Sequence, residues 1–136
     1  MAFNVKKINP LDLQPRKAIG IDIPLSGVGV FNQTFETKDA LKANLINYFL
    51  TNKGERFLNP NFGSNIRRIL FENITQDNLD EIEAIVADDL EKFFPRVKPT
   101  LIRFASEPDT NTVVFFLRYA IEDSNIQDEI VINIEQ

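Results

Sequence analysis

From Thr37 onward the hydrophobic period changes once, and the change falls at Pro95. Before it, apolar residues recur at helical spacing. After it they alternate with polar ones, as in strands with one buried face. The alternating segments 97–106, 112–122 and 129–135 follow one another too closely to hold crossover helices. Strands so connected pair as an antiparallel meander. Helices first and sheet second make the predicted class α+β, with three helices followed by a three-stranded antiparallel sheet.

The first helix is predicted to open at Thr37, whose hydroxyl is expected to cap free N–H groups, with Asp39 suited to the positive helix end. Leu41, Leu45, Tyr48 and Phe49 form its apolar face, and Gly54 is placed to stop it. Ser64 is the expected cap of a short second helix running to about Phe71, with Ile66, Ile69 and Leu70 inward. Thr75 caps the third, which buries Leu79, Ile82, Ile85, Val86, Leu90 and Phe93 and stops at Pro95. Acidic residues fill its other side. Asp88, Asp89 and Glu91 sit near the negative helix end and are therefore the ones expected to meet a cationic partner.

Residues 1–34 read differently. Pro10, Pro15, Gly20, Pro24, Gly27 and Gly29 break any helical period. Short extended pieces are expected at Ile19–Ile23 and around Val28–Phe31. The domain reading is an extended arm, 1–34, and a single α+β domain, 35–136. The arm must lie on its own domain or on a neighbour.

Composition narrows the chemistry. The 136 residues contain no Cys and no His, which removes disulfides, Cys/His zinc sites and His-based nucleophilic triads. No cofactor, metal site or catalytic set is predicted. The formal charge of −5 argues against general nucleic-acid binding. The longest strongly apolar run, Val113–Leu117, is too short to cross a bilayer, and the start of the chain lacks a signal peptide's apolar stretch. A soluble protein with no membrane partner is expected.

The loop "TNKGERFLNPNFG", Thr51–Gly63, sets cations among turn residues. It reads as an active-site loop, a partner-binding loop or a well-specified corner. As an active site it would serve glycoside hydrolysis, with Glu55 as acid and Asp22, Asp39 or Glu72 as its partner. Lys53 and Arg56 flank Glu55, however, and cations favour the ionised form, the wrong direction for an acid. As a corner, Glu55 and Arg56 would bond backbone groups left unpaired by the turn. As a partner site, Lys53 and Arg56 with Arg67 and Arg68 would make a basic patch for an acidic protein.

The longer stretch "LTNKGERFLNPNFGSNIRRILFE", Leu50–Glu72, resembles the signature of a tailed-phage baseplate wedge family. Its marks are Thr51, Gly54–Glu55–Arg56, Pro60, Phe62–Gly63 and Leu70–Phe71–Glu72. "IGIDIP" upstream and "FPRVKPTLIRF" downstream extend the likeness over roughly residues 19–121. One departure is Phe94, where the family often has an acid before the pair matched by Pro95–Arg96.

The resemblance implies a structural protein of the contractile-tail inner baseplate, relatives in type VI secretion baseplates, and a platform for the first sheath ring. Implied partners are wedge scaffold proteins and the tail sheath, with tube or hub proteins as further neighbours. Several copies, six by the ring symmetry of such tails, would lie in the virion after assembly in the host cytoplasm. Glu55, Arg56, Arg67, Arg68, Pro95 and Arg96 are then partner-binding candidates, with Ile130, Ile132 and Ile134 marking a terminal strand open to strand addition. Strand 97–106 is the other candidate edge. A tail-associated peptidoglycan hydrolase is the alternative, and an acidic adaptor unrelated to tails a third.

Overall fold

The computed structural model describes residues 10–14, 17–23, 33–69, 75–107, 109–110, 112–122 and 124–135. The chain divides into two compact units, Met1–Tyr48 and Phe49–Gln136.

The described part of the first unit begins with a 3-10 turn, Pro10–Leu13. Strands β1 (Gly20–Ile21) and β2 (Gln33–Thr34) then pair antiparallel, extended by the Ile19 N–H donating to the Thr34 carbonyl at 2.9 Å. The fold is therefore α+β; among the described residues a 3-10 turn and a two-stranded ladder precede the helices, and β1 falls within the extended piece expected at Ile19–Ile23. The extended piece expected around Val28–Phe31 lies outside the described residues. Helix α1 spans Thr37–Leu50. Its cap corrects the sequence reading. Thr37 is the first helical residue, and its N–H and hydroxyl both donate to Asp12 Oδ1, at 2.8 and 2.6 Å. A carboxylate from the 3-10 turn thus takes the capping role, with charge suited to the helix N-terminus. Ala43 is buried along with Leu45, Tyr48 and Phe49, so α1 is covered over more than the expected stripe.

In the second unit, α2 spans Ile66–Ile69 and α3 spans Gln76–Phe93. Thr75 caps α3 as expected, its Oγ1 accepting from the Asn78 N–H at 3.4 Å. The helix ends where the Phe94 N–H donates to the Leu90 carbonyl and Pro95 forbids another turn. Leu79, Val86 and Leu90 are buried, but Ile85 is 48% exposed and leaves the predicted stripe.

Strands β3 (Val97–Glu107), β4 (Thr112–Ile121) and β5 (Gln127–Glu135) form one antiparallel sheet in the order β3-β4-β5. Cross-strand partners place Ile102 and Phe104, Leu117 and Phe115, and Ile130 and Ile132 on one face. Phe115 anchors the core there, with its ring centroid 4.7 Å from that of Phe49 and 4.8 Å from that of Phe104. Arg103, Arg118, Glu129 and Val131 are exposed on the opposite face. The register shifts between Pro99 and Leu101, leaving Thr100 as a bulge residue. A proline is tolerated here because β3 is an edge strand.

Candidate functional site

Three features of the second unit carry the candidate residues: the loop after α1, the turn after α3 and the two edges of the sheet.

The loop is held shut at its neck. The Ser64 N–H donates to the Thr51 carbonyl at 2.9 Å, and the Gly54 N–H reaches across to the Pro60 carbonyl at 2.8 Å. The Ser64 hydroxyl, expected to cap α2, donates at 2.8 Å to the Phe49 carbonyl instead. It satisfies the C-terminal end of α1, where carbonyls lack helical partners. Gly54 and Gly63 take φ of 93° and 125°, conformations that side chains rarely adopt.

Glu55 closes the inner turn. Its carboxylate accepts from the Asn52 N–H at 3.0 Å and from the Asn52 side-chain amide at 2.7 Å. The main-chain bond first, then the side-chain bond, hold the Glu55 carboxyl below its ordinary value of 4.5, and Arg67 pushes the same way. The Arg56 guanidinium stacks on the Phe62 ring, 3.9 Å from its centroid, and Phe62 meets Phe93 of α3 edge-on at 5.7 Å. Lys53 Nζ lies 3.1 Å from Asp89 Oδ2. The cation expected for Asp89 therefore comes from its own chain. The charges of this loop brace a corner, and Arg56, Arg67 and Arg68 remain exposed around it. The sequence reading passed over the apex: Phe57 and Leu58 are 97% and 95% exposed.

Pro95 and Arg96 form the exposed turn between α3 and β3. The Arg96 carbonyl accepts from the Glu122 N–H at 2.8 Å, which ties this turn to the one after β4. The backbone is fixed and the guanidinium side chain is on the surface.

The sheet edges differ. On β3 the Phe104 N–H donates to Glu83 Oε1 of α3 at 3.3 Å, so a helix carboxylate occupies part of that edge. The bulge at Thr100 and the missing N–H of Pro99 interrupt it further. On β5 the Glu129 N–H bonds Asp128 Oδ1 at 2.8 Å. Antiparallel alternation then turns the main-chain groups of Val131 and Asn133 away from β4. The sequence reading named Ile130, Ile132 and Ile134 on this strand. Ile130 and Ile134 are buried, Ile132 is half-buried, and their main chains point to β4. An added strand would meet Val131 and Asn133.

Glu55 is fully exposed and its carboxyl is biased towards the ionised form. Asp22 and Asp39 line a shallow polar depression of about 430 Å³ in the first unit, together with Gln33, Thr34, Phe35 and Glu36. Glu72 lies outside the described residues. Among the described residues no acidic cluster is arranged to hold a metal, and no helix is long and apolar enough to cross a membrane.

Comparison with known proteins places these features in a family. The chain is 26% identical to baseplate wedge protein gp25 of Enterobacteria phage T4 over 85 residues, 62% of this chain and 64% of that protein. It thus spans somewhat less than two thirds of this curated relative's length. Two solved structures share the fold. A candidate tail lysozyme from Geobacter sulfurreducens has a TM-score of 0.56 at 22% identity, over 65% of this chain and 80% of the other. A chain in the baseplate complex of the type VI secretion system has a TM-score of 0.57 at 16% identity, over 71% of this chain and 91% of the other. Residues 35–126, which hold the braced loop, the Pro95–Arg96 turn and two of the three strands of the main sheet, match the family described as baseplate wedge protein gp25, and the chain belongs to that family.

Proposed function

We propose that this protein is an inner-baseplate wedge subunit of a contractile tail and the platform on which the first sheath ring assembles. The observation that carries the reading is the difference between its two sheet edges. A member of this family that offers the main-chain groups of Val131 and Asn133 on β5, past the Glu129 N–H that Asp128 occupies, and obstructs β3 with Glu83, Pro99 and a bulge, is suited to accept one strand from a neighbour. The sheath subunit supplies that strand. Arg96 pairs with a carboxylate of the wedge scaffold, and Arg56, Arg67 and Arg68 meet an acidic face of a baseplate neighbour. The arm, residues 1–34, lies along its own domain or an adjacent subunit. Six copies in a ring give individually modest contacts collective strength. The protein serves in the virion or the corresponding injection particle, after assembly in the producing cell.

The peptidoglycan-hydrolase alternative finds less support. Its acid, Glu55, would need surroundings that keep it protonated, whereas its bonds to Asn52 act in the opposite direction.

Val131→Pro tests the platform directly. It removes an N–H that β4 does not use, so the sheet is expected to survive, whereas Ile132→Pro breaks the ladder itself. Particles carrying folded Val131→Pro should contain the protein and a tube but no sheath. Normal sheath on such particles would sink the strand-addition mechanism.

A further inference from the structure

Phe57 and Leu58 lie side by side at the apex of the loop, almost wholly exposed. Nothing about the corner requires apolar residues there. The turn is made by Gly54, Glu55, Asn59, Pro60 and Gly63, and its bonds run through main chain, Asn52 and Glu55. The apex is nevertheless held firmly from below. The Gly54–Pro60 bond closes it, Arg56 packs on Phe62, and Phe62 meets α3. Two large apolar side chains on a pre-shaped support lose little freedom on binding, the property that marks interface anchors.

The charge around the apex indicates what it enters. Residues 53–68 carry Lys53, Arg56, Arg67 and Arg68 against the single anion Glu55, with Lys53 paired to Asp89 of α3, on a chain whose net charge is −5. Glu55 is already bonded to Asn52. A second copy docking through the same patch would bring like charges face to face. A bilayer fits poorly as well, because two side chains form a small anchor and the chain as a whole repels an anionic lipid surface. We infer that Phe57 and Leu58 are a plug that seats in an apolar pocket of a different baseplate protein, one whose rim carries Asp and Glu side chains facing Arg56, Arg67 and Arg68. The inference rests on the proposed function only for the setting, an assembly of several proteins. It is independent of the β5 edge.

The absence of Cys makes the test clean. Leu58→Cys carries a benzophenone maleimide at one known position, and the labelled full chain is assembled into particles and illuminated. The expected product joins it to another baseplate protein at a pocket of apolar residues bordered by carboxylates. Cross-links to a second copy, to lipid or to nothing, with the chain present in the particle, would overturn the plug. A second variant, Phe57→Ser/Leu58→Ser, leaves both mutated sites in solvent and should keep the wild-type circular dichroism spectrum. In direct competition with wild type its incorporation should fall at least about tenfold; equal incorporation would refute the inference. Binding of the full chain to phosphatidylglycerol vesicles, lost in the double Ser variant, would replace the protein pocket by a membrane. Equal incorporation together with missing sheath on Val131→Pro particles would remove the plug and leave the platform standing.

Discussion

Gly54 and Gly63 belong to one loop and both adopt positive φ, yet they are not equally replaceable. A Cβ on Gly54 would meet nothing within 4 Å, whereas one on Gly63 would lie 2.6 Å from the Thr51 carbonyl oxygen. Gly54→Ala therefore costs only the backbone preference, about 1 kcal/mol. Gly63→Ala adds a clash with main chain that cannot turn aside, and is expected to cost on the order of 3 kcal/mol by urea denaturation. Equal costs would mean that the loop neck yields. Glu55 makes a prediction about pH. Its folded value lies below the ordinary 4.5, so its stabilising bonds to Asn52 are fully present above that value. They are lost as pH falls through the lower, folded value. Glu55→Gln should flatten the acid limb of the stability curve in that window and leave the slope near neutrality unchanged. A parallel acid limb in wild type and variant would show that the carboxylate does not close the turn.

Among the elements, the strands were the most legible part of the sequence. Alternation survives because the sheet presents only one face to the core, so Phe115, Leu117 and Tyr119 are buried while Arg118 is exposed. Helix α3 was legible for a related reason, since Thr75, an apolar stripe and Pro95 are all local signals. What failed was every cap or partner chosen by tertiary structure. Asp12 lies 25 residues before Thr37 in the chain, and Ser64 turned back to Phe49. Ile85 kept its place in the helical period but stays 48% exposed. The site was legible as a motif, Gly54–Glu55–Arg56, but not as a geometry. Sequence could not show Arg56 on Phe62, Lys53 on Asp89, or that a helix carboxylate bonds the β3 edge. Glu83 supplies that carboxylate and looked like one more acid on a solvated helix face. Glu83→Ala should lower stability by about 1 kcal/mol, because the bond to Phe104 is long and only partly buried. It should also raise concentration-dependent association in sedimentation velocity, with Glu83→Gln restoring both. Unchanged sedimentation would show that the carboxylate does not guard the edge.

For the molecule as a whole, a platform differs from a binary complex in how it fails. If a sheath ring starts only when most wedge subunits offer a strand, defects compound around the ring. Cells making wild type and Val131→Pro in equal amounts should then yield fewer than half the normal number of sheathed particles, counted by electron microscopy with both chains incorporated. A yield of half or more would mean that single subunits seed the sheath independently. The loop apex and the β5 edge have separate duties in this picture, one seating the subunit and the other extending it. In the proposed platform the obstructed β3 edge would set the sense of that extension. A sheet with two equal edges is a link: strands add on either side, and copies of the same chain stack into ribbons. A sheet with a helix carboxylate, a proline and a bulge along one side has a front and a back. On the proposed reading such a sheet would begin a lattice without becoming one of its repeating units, and so give a growing tail its origin and its direction.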